Sequence, residues 1–469
     1  MSIAAQDQVG FVDEEKIHSL LQSARLVDRE RALDVVEKAR ECKGLDIEEL
    51  AILLQAEEED VVHAMYEAAL YVKNTIYGRR IVFFAPLYVS NVCANNCLYC
   101  GFRRDNRSLV RRILTQDQVR EEVEILLADG HKRILLVAGE HPTLSGIDYI
   151  EKTVATVYET RVGRANIRRV NVNCAPLSVD DFRRLKACAI GTYQCFQETY
   201  HLDTYKLMHP SGPKADYLWR LHAPERAMEA GIDDVGVGAL LGLTDYKFDV
   251  MAVLMHAQYL DSTYGVGPHT ISVPRLEPAL NAPAANNPPH AVTDDNMRRI
   301  VSCFRLAVPY TGIILSTRER PEFRNELIGL GVSQISAGSR TSPGGYHDSM
   351  AHKPETEQFS IGDDRTLSEV MCQLCTDNYI PSFCTACYRA GRTGERFMGL
   401  AKNGEIHRMC SPNALLSLKE YLLDYAQGKT REEGERVLAE CLEELSPRLR
   451  RKTMELLARI EAGERDVYV

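Results

Sequence analysis

Long apolar runs are missing from this sequence. No stretch of about 18 or more predominantly apolar residues occurs along its 469 residues, so we expect no membrane-spanning helix and no membrane partner. The opening segment, MSIAAQDQVGFVDEEK, has neither a basic start nor an apolar run that leads to a cleavage site. From these absences we expect a cytoplasmic protein.

An excess of positive charge is also missing. The sequence has 56 Lys and Arg against 66 Asp and Glu, a formal net charge of −10. A protein that coats nucleic acid needs a basic surface, so we expect no nucleic-acid partner. The hydrophobic content of 45% and the charged content of 26% are ordinary for a folded soluble chain.

The sequence is not short of cysteine, since it has 14. In a chain expected to be cytosolic, clustered cysteines indicate metal binding or catalysis more than disulfides. Six of them form two tight groups, which are Cys93, Cys97 and Cys100, and Cys384, Cys387 and Cys410. Cys372 and Cys375 form a further C-x-x-C, but they lie on a helix-like run, so we expect them to be buried.

The pattern of apolar residues divides the chain into several parts. Residues 12–76 have helical spacing, which predicts an N-terminal helical extension over 1–80. Short β-rich runs then alternate with amphipathic helical stretches, and strand–helix alternation is typical of a parallel sheet. There are eight runs, which are IVFFA (81–85), RILLVAG (133–139), RVNVN (169–173), TYQCF (192–196), DVGVGAL (234–240), HTISV (269–273), GIILS (312–316) and QISAG (334–338).

Eight runs predict an α/β fold, a TIM-type (β/α)8 barrel over 81–340, with reactive groups at the C-terminal ends of its strands. A polar linker is predicted over 341–363. A small, mainly helical domain over 364–469 follows it and contains the second cysteine group.

The first cysteine group lies in SNVCANNCLYCGFRR, directly after the first predicted strand. The spacing C-x3-C-x2-C supplies three thiolates for a 4Fe-4S cubane and leaves one iron open. An open iron can chelate the amino and carboxylate groups of S-adenosylmethionine (SAM), whose reductive cleavage gives a 5′-deoxyadenosyl radical. The alternative is a zinc site, but structural zinc prefers four ligands and this loop has no fourth. The sequence therefore predicts a radical SAM enzyme.

The second group has the spacing C-x2-C-x22-C. An iron–sulfur cluster and a zinc ribbon fit this spacing about equally well, and His407 is available as a fourth zinc ligand. From the residues alone, both alternatives stay open.

Together the two groups resemble the HydG family of radical SAM tyrosine lyases, which act in FeFe hydrogenase maturation. The resemblance extends over the chain, with APLYVSNVCANNCLYCGF, FQETYH, GVGPHTISVPR and PSFCTACYRAGRTGERFM as supporting stretches. The related thiamine-pathway enzyme, 2-iminoacetate synthase, shares the barrel motifs but lacks the C-terminal cysteines. The resemblance therefore favours HydG, and it favours iron–sulfur over zinc at the second site.

The resemblance implies that L-tyrosine is cleaved between Cα and Cβ to p-cresol and dehydroglycine. It also implies that dehydroglycine yields CO and cyanide on iron at a second 4Fe-4S cluster, for assembly of the hydrogenase H-cluster. That cluster is expected to have an extra labile iron, linked through a bound amino acid, usually cysteine. Other hydrogenase maturases and a reductant such as ferredoxin are the implied partners, the latter near Arg103, Arg104 and Arg107.

Several further residues are predicted to bind SAM or tyrosine. For SAM we expect Tyr99 against the adenine, Glu140 on the amino group, and contributions from Glu198, Asn171 and Asn173. For the tyrosine carboxylate we expect Arg318 with Ser316, because arginine binds carboxylates in a bidentate way. Competing clamps are Arg275, which is also a candidate for the SAM carboxylate, and, more weakly, Arg340.

His269 opens the sixth predicted strand, so we expect it at the rim opposite the SAM cavity. In the family, a histidine in this motif binds the labile iron. We further expect the barrel interior to connect the two sites, with small residues leaving room (Gly236, Gly238, Ala239, Ala337 and Gly338). The alternatives are a thiamine-type 2-iminoacetate synthase and a non-catalytic iron–sulfur scaffold.

Overall fold

The computed structural model describes residues 10–348 and 356–469. Part of the predicted linker, 349–355, lies outside the described residues, as do residues 1–9 of the opening segment. Within the described ranges, no helix combines the length and the apolar character that crossing a membrane requires.

Four helices precede the barrel, which confirms the predicted N-terminal helical extension. They are α1 (Glu14–Ala24), α2 (Arg29–Ala39), α3 (Ile47–Gln55) and α4 (Glu59–Tyr77). The first three begin at aspartates whose side chains accept backbone N–H groups of the first turn, and such caps satisfy donors that have no partner within the helix. Helix α4 leads directly into the first strand of the barrel.

The middle of the chain forms a closed barrel of eight parallel strands, as predicted. The strands are β1 (Arg80–Ser90), β2 (Arg133–Ala138), β3 (Arg169–Asn173), β4 (Tyr193–Gln194), β5 (Val235–Gly238), β6 (Thr270–Ser272), β7 (Gly312–Leu315) and β8 (Gln334–Ser336). They pair in chain order, and β8 pairs with β1 to close the barrel. A small antiparallel hairpin (Arg161–Val162 with Ala165–Asn166) lies outside this sheet.

Helices cover the outside of the barrel. They are α5 (Gln116–Ala128), α6 (Ile147–Glu159), α7 (Val179–Ala187), α8 (Leu202–Met208), α9 (Tyr217–Leu221), α10 (Ala223–Glu229), α11 (Tyr246–Tyr264), α12 (Pro283–Asn286), α13 (Asp294–Ala307) and α14 (Pro321–Gly329). Helices α5 and α13 begin with capping boxes at Thr115 and Thr293. Their apolar faces are buried, and α13 also packs against α4 of the N-terminal extension.

The C-terminal region is mainly helical, as predicted. It contains α15 (Leu367–Thr376), α16 (Ala386–Arg389), α17 (Gly394–Lys402), α18 (His407–Asp424), α19 (Gly428–Glu443) and α20 (Pro447–Glu461). A ninth strand, β9 (Ile380–Ser382), was not predicted, and it pairs in parallel with the start of β1, with Ile380 opposite Arg80. This pairing holds Cys384, which follows β9, under the N-terminal end of the barrel. The predicted domain boundaries stay predictions.

Candidate functional site

The C-terminal ends of the barrel strands surround one cavity, which we name the upper cavity. It contains about 1370 Å³ of empty space, part of it open to solvent. Most of the predicted site residues line it, namely Cys93, Cys97, Tyr99, Cys100, Glu140, Asn173, Glu198, Ser316 and Arg318. The structure therefore brings together residues that are more than 200 positions apart in the sequence.

The first cysteine loop is held in place by backbone contacts. The Ala94 N–H donates to the Glu140 carbonyl at 2.8 Å, and the Gly101 N–H donates to the Gln358 carbonyl at 3.0 Å. A Cβ atom on Gly139, the residue after β2, would lie 2.5 Å from the Val92 carbonyl oxygen. The chain can therefore approach the cysteine loop this closely only because residue 139 is glycine. These contacts fix the loop against the barrel.

Burial raises the pKa values of the three thiols in this loop. The pKa rises to about 11 for Cys93, about 12 for Cys97 and about 11 for Cys100, with burial as the largest cause. Iron is bound by the thiolate, so assembly of a cluster here must release the thiol protons. Three thiols that line one cavity form a donor set that fits an iron–sulfur cubane with one open corner.

A buried network of charges lies next to the cysteines. Glu140 accepts hydrogen bonds from Arg220 at 2.8 Å and from Asn95 at 2.7 Å. Glu198 accepts one from Lys214 at 2.5 Å. Although burial raises the pKa of the Glu140 carboxyl, the charges of Arg220 and Lys214 lower it by more, so this pKa lies below its ordinary value. Both predicted carboxylates are therefore held in position by positively charged partners.

The sequence analysis missed Arg220 and Lys214. Arg220 lies on α9 and Lys214 in a short 3₁₀ turn (Pro213–Ala215), so neither follows a predicted strand. The backbone of Glu198 adopts a left-handed conformation, with φ of 73°, and such strain is common at functional sites.

Tyr99 lies in the wall of the upper cavity, where its side chain is almost fully buried. Its hydroxyl shares a hydrogen bond of 2.7 Å with Nε2 of His209, which the sequence analysis also missed. The hydroxyl is fixed at one end, so the face of the ring is the part available to a ligand.

Arg318 and Ser316 lie in the loop after β7, on the wall of the upper cavity. The Arg318 guanidinium lies over the ring of Phe359, 3.3 Å from its centroid. Among the described residues, no carboxylate or carbonyl oxygen accepts a hydrogen bond from this guanidinium. Burial lowers the pKa of Arg318, and nearby groups such as Tyr88 and Glu277 oppose that shift. The upper cavity therefore contains a guanidinium group whose N–H donors are free to bind a ligand.

Three of the residues predicted to bind SAM or tyrosine do not line the upper cavity. Arg275 forms ion pairs with Glu319 at 2.5 Å and with Asp294 at 2.9 Å, so its donors are used. Asn171 accepts a hydrogen bond from the backbone N–H of Thr192 at 3.0 Å, inside the barrel. Arg340 donates to the Ser339 carbonyl at 2.9 Å. Because its donors are taken by carboxylates, Arg275 is not the competing clamp that the sequence suggested.

A second cavity lies at the N-terminal ends of the strands, and we name it the lower cavity. It contains about 640 Å³ of empty space and is lined by Cys384, Cys387, Cys410 and His269, as the sequence analysis anticipated. Strand starts form its barrel side, including Arg80, Arg133, Gly312 and Gln334. Among the residues that the structure describes, no three His, Cys, Asp or Glu side chains stand close enough together to hold a single metal ion.

His269 lies between two polar side chains in the lower cavity. Its Nδ1 is 3.7 Å from Oδ1 of Asp234, and its Nε2 is 3.4 Å from the hydroxyl of Tyr388. Burial lowers the pKa of His269, and the nearby Asp234 carboxylate opposes that shift. A histidine kept neutral has a lone pair for a metal.

His407 does not line the lower cavity. Its Nδ1 bonds to the hydroxyl of Ser411 at 2.9 Å, and its ring lies against the backbone of Gly78. The histidine that was available to the zinc alternative is therefore directed elsewhere. Cys372 and Cys375 lie on α15 and line neither cavity. Cys375 is buried as predicted, whereas Cys372 is only partly buried.

Among the described residues, none lines both cavities, and one of the small residues predicted to leave room between them, Gly236, is crowded by its neighbours. A Cβ atom on Gly236 would lie 2.5 Å from Oγ1 of Thr270 and 2.9 Å from Cγ of Gln194, so these two side chains fill that space. Ala239 and Ala337 belong to the main hydrophobic core. At Gly236, polar side chains therefore occupy the path that was predicted between the two cavities.

Comparison with known families supports the fold. Residues 87–255 match the Radical SAM superfamily, and residues 272–380 match the Biotin and Thiamin Synthesis associated domain. The 2-iminoacetate synthase of Salmonella typhimurium is 34% identical over 74% of this chain and 89% of its own length. The Escherichia coli enzyme of the same name is 33% identical over 77% and 93%.

Solved structures match more of the chain. A crystal structure of HydG, described as a maturase of the [FeFe]-hydrogenase, has 52% identity and a TM-score of 0.95, and covers 98% of this chain and all of the other. HydG from Carboxydothermus hydrogenoformans has 40% identity and a TM-score of 0.82, over 94% and 97%. The chain therefore belongs to the HydG family of radical SAM enzymes.

Proposed function

We propose that this protein cleaves L-tyrosine between Cα and Cβ to p-cresol and dehydroglycine, and then converts dehydroglycine to CO and cyanide on iron for hydrogenase assembly. The observation that carries this proposal is the pair of thiol triplets in separate cavities at the two ends of one barrel. The HydG structures also match 98% and 94% of the chain, whereas the two 2-iminoacetate synthases match 74% and 77%.

In the upper cavity, Cys93, Cys97 and Cys100 would hold a 4Fe-4S cluster whose open iron binds SAM. When bound, the cluster and SAM together supply a 5′-deoxyadenosyl radical. The protein's own part is to position the ligands. Ionised Glu140 suits the SAM ammonium, and the buried face of Tyr99 suits the adenine. Glu198 and Asn173 line the same wall and suit ribose or the methionyl part.

Arg318 and Ser316 would bind the carboxylate of tyrosine. Arginine offers two parallel N–H donors to a carboxylate, and the Arg318 guanidinium has no competing acceptor among the described residues. Phe359 under the guanidinium fixes its plane, which favours one orientation of the bound amino acid.

Replacing Arg318 with methionine should weaken tyrosine use. Loss of hydrogen bonds to a charged group should lower kcat/KM for tyrosine about tenfold to a hundredfold. The KM for SAM should not change, and steady-state p-cresol formation measures both. The matched control is Arg320→Met, which removes an exposed arginine two positions away that pairs with Asp294. A raised KM for SAM with normal tyrosine use would instead assign Arg318 to SAM.

In the lower cavity, Cys384, Cys387 and Cys410 would hold the second 4Fe-4S cluster. His269 would bind the extra labile iron through one imidazole nitrogen. An amino acid such as cysteine would complete the coordination of that iron. Asp234 supports this role, because ligating histidines commonly donate their other ring N–H to a carboxylate.

Replacing His269 with alanine should remove the high-spin EPR signals expected from the five-iron form of the second cluster. Formation of p-cresol should persist, because His269 lies outside the upper cavity. EPR spectroscopy of the reduced protein measures the loss of the high-spin signals. The control is His407→Ala, since His407 lies in the C-terminal region but outside the lower cavity. High-spin signals that survive in His269→Ala would remove this histidine from the iron site.

Product analysis separates the proposal from its alternatives. Anaerobic incubation with SAM, dithionite and tyrosine should give both p-cresol and CO. Formation of p-cresol without CO would favour a thiamine-type 2-iminoacetate synthase, and absence of both products would favour an iron–sulfur scaffold.

Ferredoxin is the proposed physiological reductant in the cytoplasm, because Arg104 and Arg107 are exposed beside the first cysteine loop. Other hydrogenase maturases are the proposed partners.

A further inference from the structure

Three arginines line the lower cavity, and each has a buried nitrogen that makes no hydrogen bond within the described chain. These atoms are Nε of Arg80, Arg133 and Arg392. Arg133, with 6% of its surface exposed, uses Nη1 to donate to the Cys384 carbonyl at 2.9 Å. Arg392 donates from Nη2 to the Val469 carbonyl at 3.2 Å. Each of these guanidinium groups, which line the cavity beside the cysteines, therefore has at least one donor that no described protein atom satisfies.

The lining of the lower cavity has few negative groups to balance these arginines. Asp234 is the one carboxylate among the described lining residues. Its Oδ1 accepts the Gly394 N–H at 3.3 Å and faces His269, so it is not paired with an arginine. Burying charges without partners is costly, so this lining fits negatively charged occupants. Thiolates at Cys384, Cys387 and Cys410 would supply part of that charge, and a bound anion would supply more.

The positions of Arg80 and Arg133 indicate where such an anion would lie. They are the first residues of β1 and β2, which are neighbours in the barrel. Cys384 follows β9, which pairs with β1 at Arg80. The two guanidinium groups thus stand at the rim where the barrel meets the second thiol triplet, and Arg392 lies on the C-terminal side of the same cavity.

We propose that Arg80, Arg133 and Arg392 form a carboxylate-binding subsite that holds the two-carbon imino acid from tyrosine cleavage beside Cys384, Cys387 and Cys410. Planar guanidinium groups recognise carboxylates, and a bound fragment is kept from solvent. In solvent, water adds across its C=N bond and ammonium leaves, which gives glyoxylate. This inference rests on the proposed tyrosine cleavage. A free amino acid from solution has the same carboxylate and is the other source to test.

Ligand binding tests the subsite without turnover. Glycine and methylamine, which lacks the carboxylate, are added to the reconstituted, reduced protein, and the EPR spectrum of the second cluster is followed. Glycine should act at about tenfold lower concentration than methylamine, and Arg80→Leu should remove most of this difference. Equal response of the unaltered protein to both probes would overturn the subsite, whether or not the variant assembles its cluster.

The fate of the fragment gives a second test. Its control is Arg183→Leu, because Arg183 is an exposed arginine that lines neither cavity. In Arg80→Leu, p-cresol should form at the normal rate, while glyoxylate rises and CO falls. Unchanged glyoxylate and CO in this variant would contradict the subsite. Absence of p-cresol from the unaltered enzyme would instead contradict the proposed function.

Isotope labelling distinguishes the two sources of the carboxylate. After turnover of tyrosine labelled with ¹³C at its carboxyl carbon, the EPR signal of the second cluster should show a ¹³C coupling that Arg80→Leu weakens. A coupling seen only with added ¹³C-glycine, and never with labelled tyrosine, would assign the subsite to a free amino acid and overturn the assignment to the fragment.

Discussion

Alanine in place of Cys97 is expected to abolish p-cresol formation. Two thiols cannot hold a cubane with a defined open corner, so the variant loses the place where SAM binds and is reduced. The iron and sulfide of the second triplet should remain, because none of its residues lines the upper cavity. Product analysis, together with iron and sulfide content, measures both effects.

The control for this variant is Cys303→Ala. Cys303 is fully buried on α13 and lines neither cavity, so its loss removes a thiol without touching either cluster. It should keep full p-cresol formation. If Cys97→Ala still cleaved tyrosine in a SAM-dependent way, the first cysteine loop would not be the radical centre.

Alanine in place of Cys387 is expected to separate the two reactions. Formation of p-cresol should continue, because Arg318, Glu140 and the first cysteine loop lie in the other cavity. Formation of CO should fall to the background, because the variant lacks the second cluster, on whose iron dehydroglycine would be converted. The fragment should instead appear as glyoxylate in solution. Quantifying p-cresol, CO and glyoxylate from one incubation tests the separation.

Cys375→Ala is the matched control for the second triplet. Cys375 lies in the same C-terminal region and is 1% exposed, but it does not line the lower cavity. It should make p-cresol and CO in normal proportion. Normal CO formation by Cys387→Ala, with p-cresol intact, would show that the lower cavity is not where the fragment is converted.

The barrel was predictable because its signal is local. Each strand is a short apolar run, and the helices between strands carry their own caps, as at Thr115 and Thr293. The extent of β1 was less predictable. The predicted apolar run ends at Ala85, yet β1 continues through Pro86, which lies opposite Leu135 of β2 although proline donates no backbone hydrogen bond.

The cysteines were predictable for the same local reason, whereas their polar neighbours were not. Arg220 and Lys214 reach the upper cavity from a helix and a turn, and nothing in their own sequence context marks them. Arg275 and Arg318 both follow strands and look alike in the sequence. Only packing distinguishes them, since Glu319 and Asp294 pair with Arg275 while Arg318 lies over Phe359.

The lower cavity depends on one feature that the sequence did not reveal. Strand β9 has only three residues, Ile380–Ser382, and includes a proline, which is too short and too irregular to stand out as a strand. Its pairing with the start of β1 brings Cys384 to Arg80 and Arg133. The prediction that His269 faces the opposite rim from SAM needed only the direction of β6, and it agrees with the structure.

Iron and acid-labile sulfide, measured per chain after anaerobic reconstitution, test most directly whether both thiol triplets are cluster sites. We predict at least two cubanes for the unaltered protein, and one fewer in Cys97→Ala and in Cys387→Ala. A single cubane that only one of these substitutions removes, or zinc in place of iron at Cys384, Cys387 and Cys410, would contradict the account.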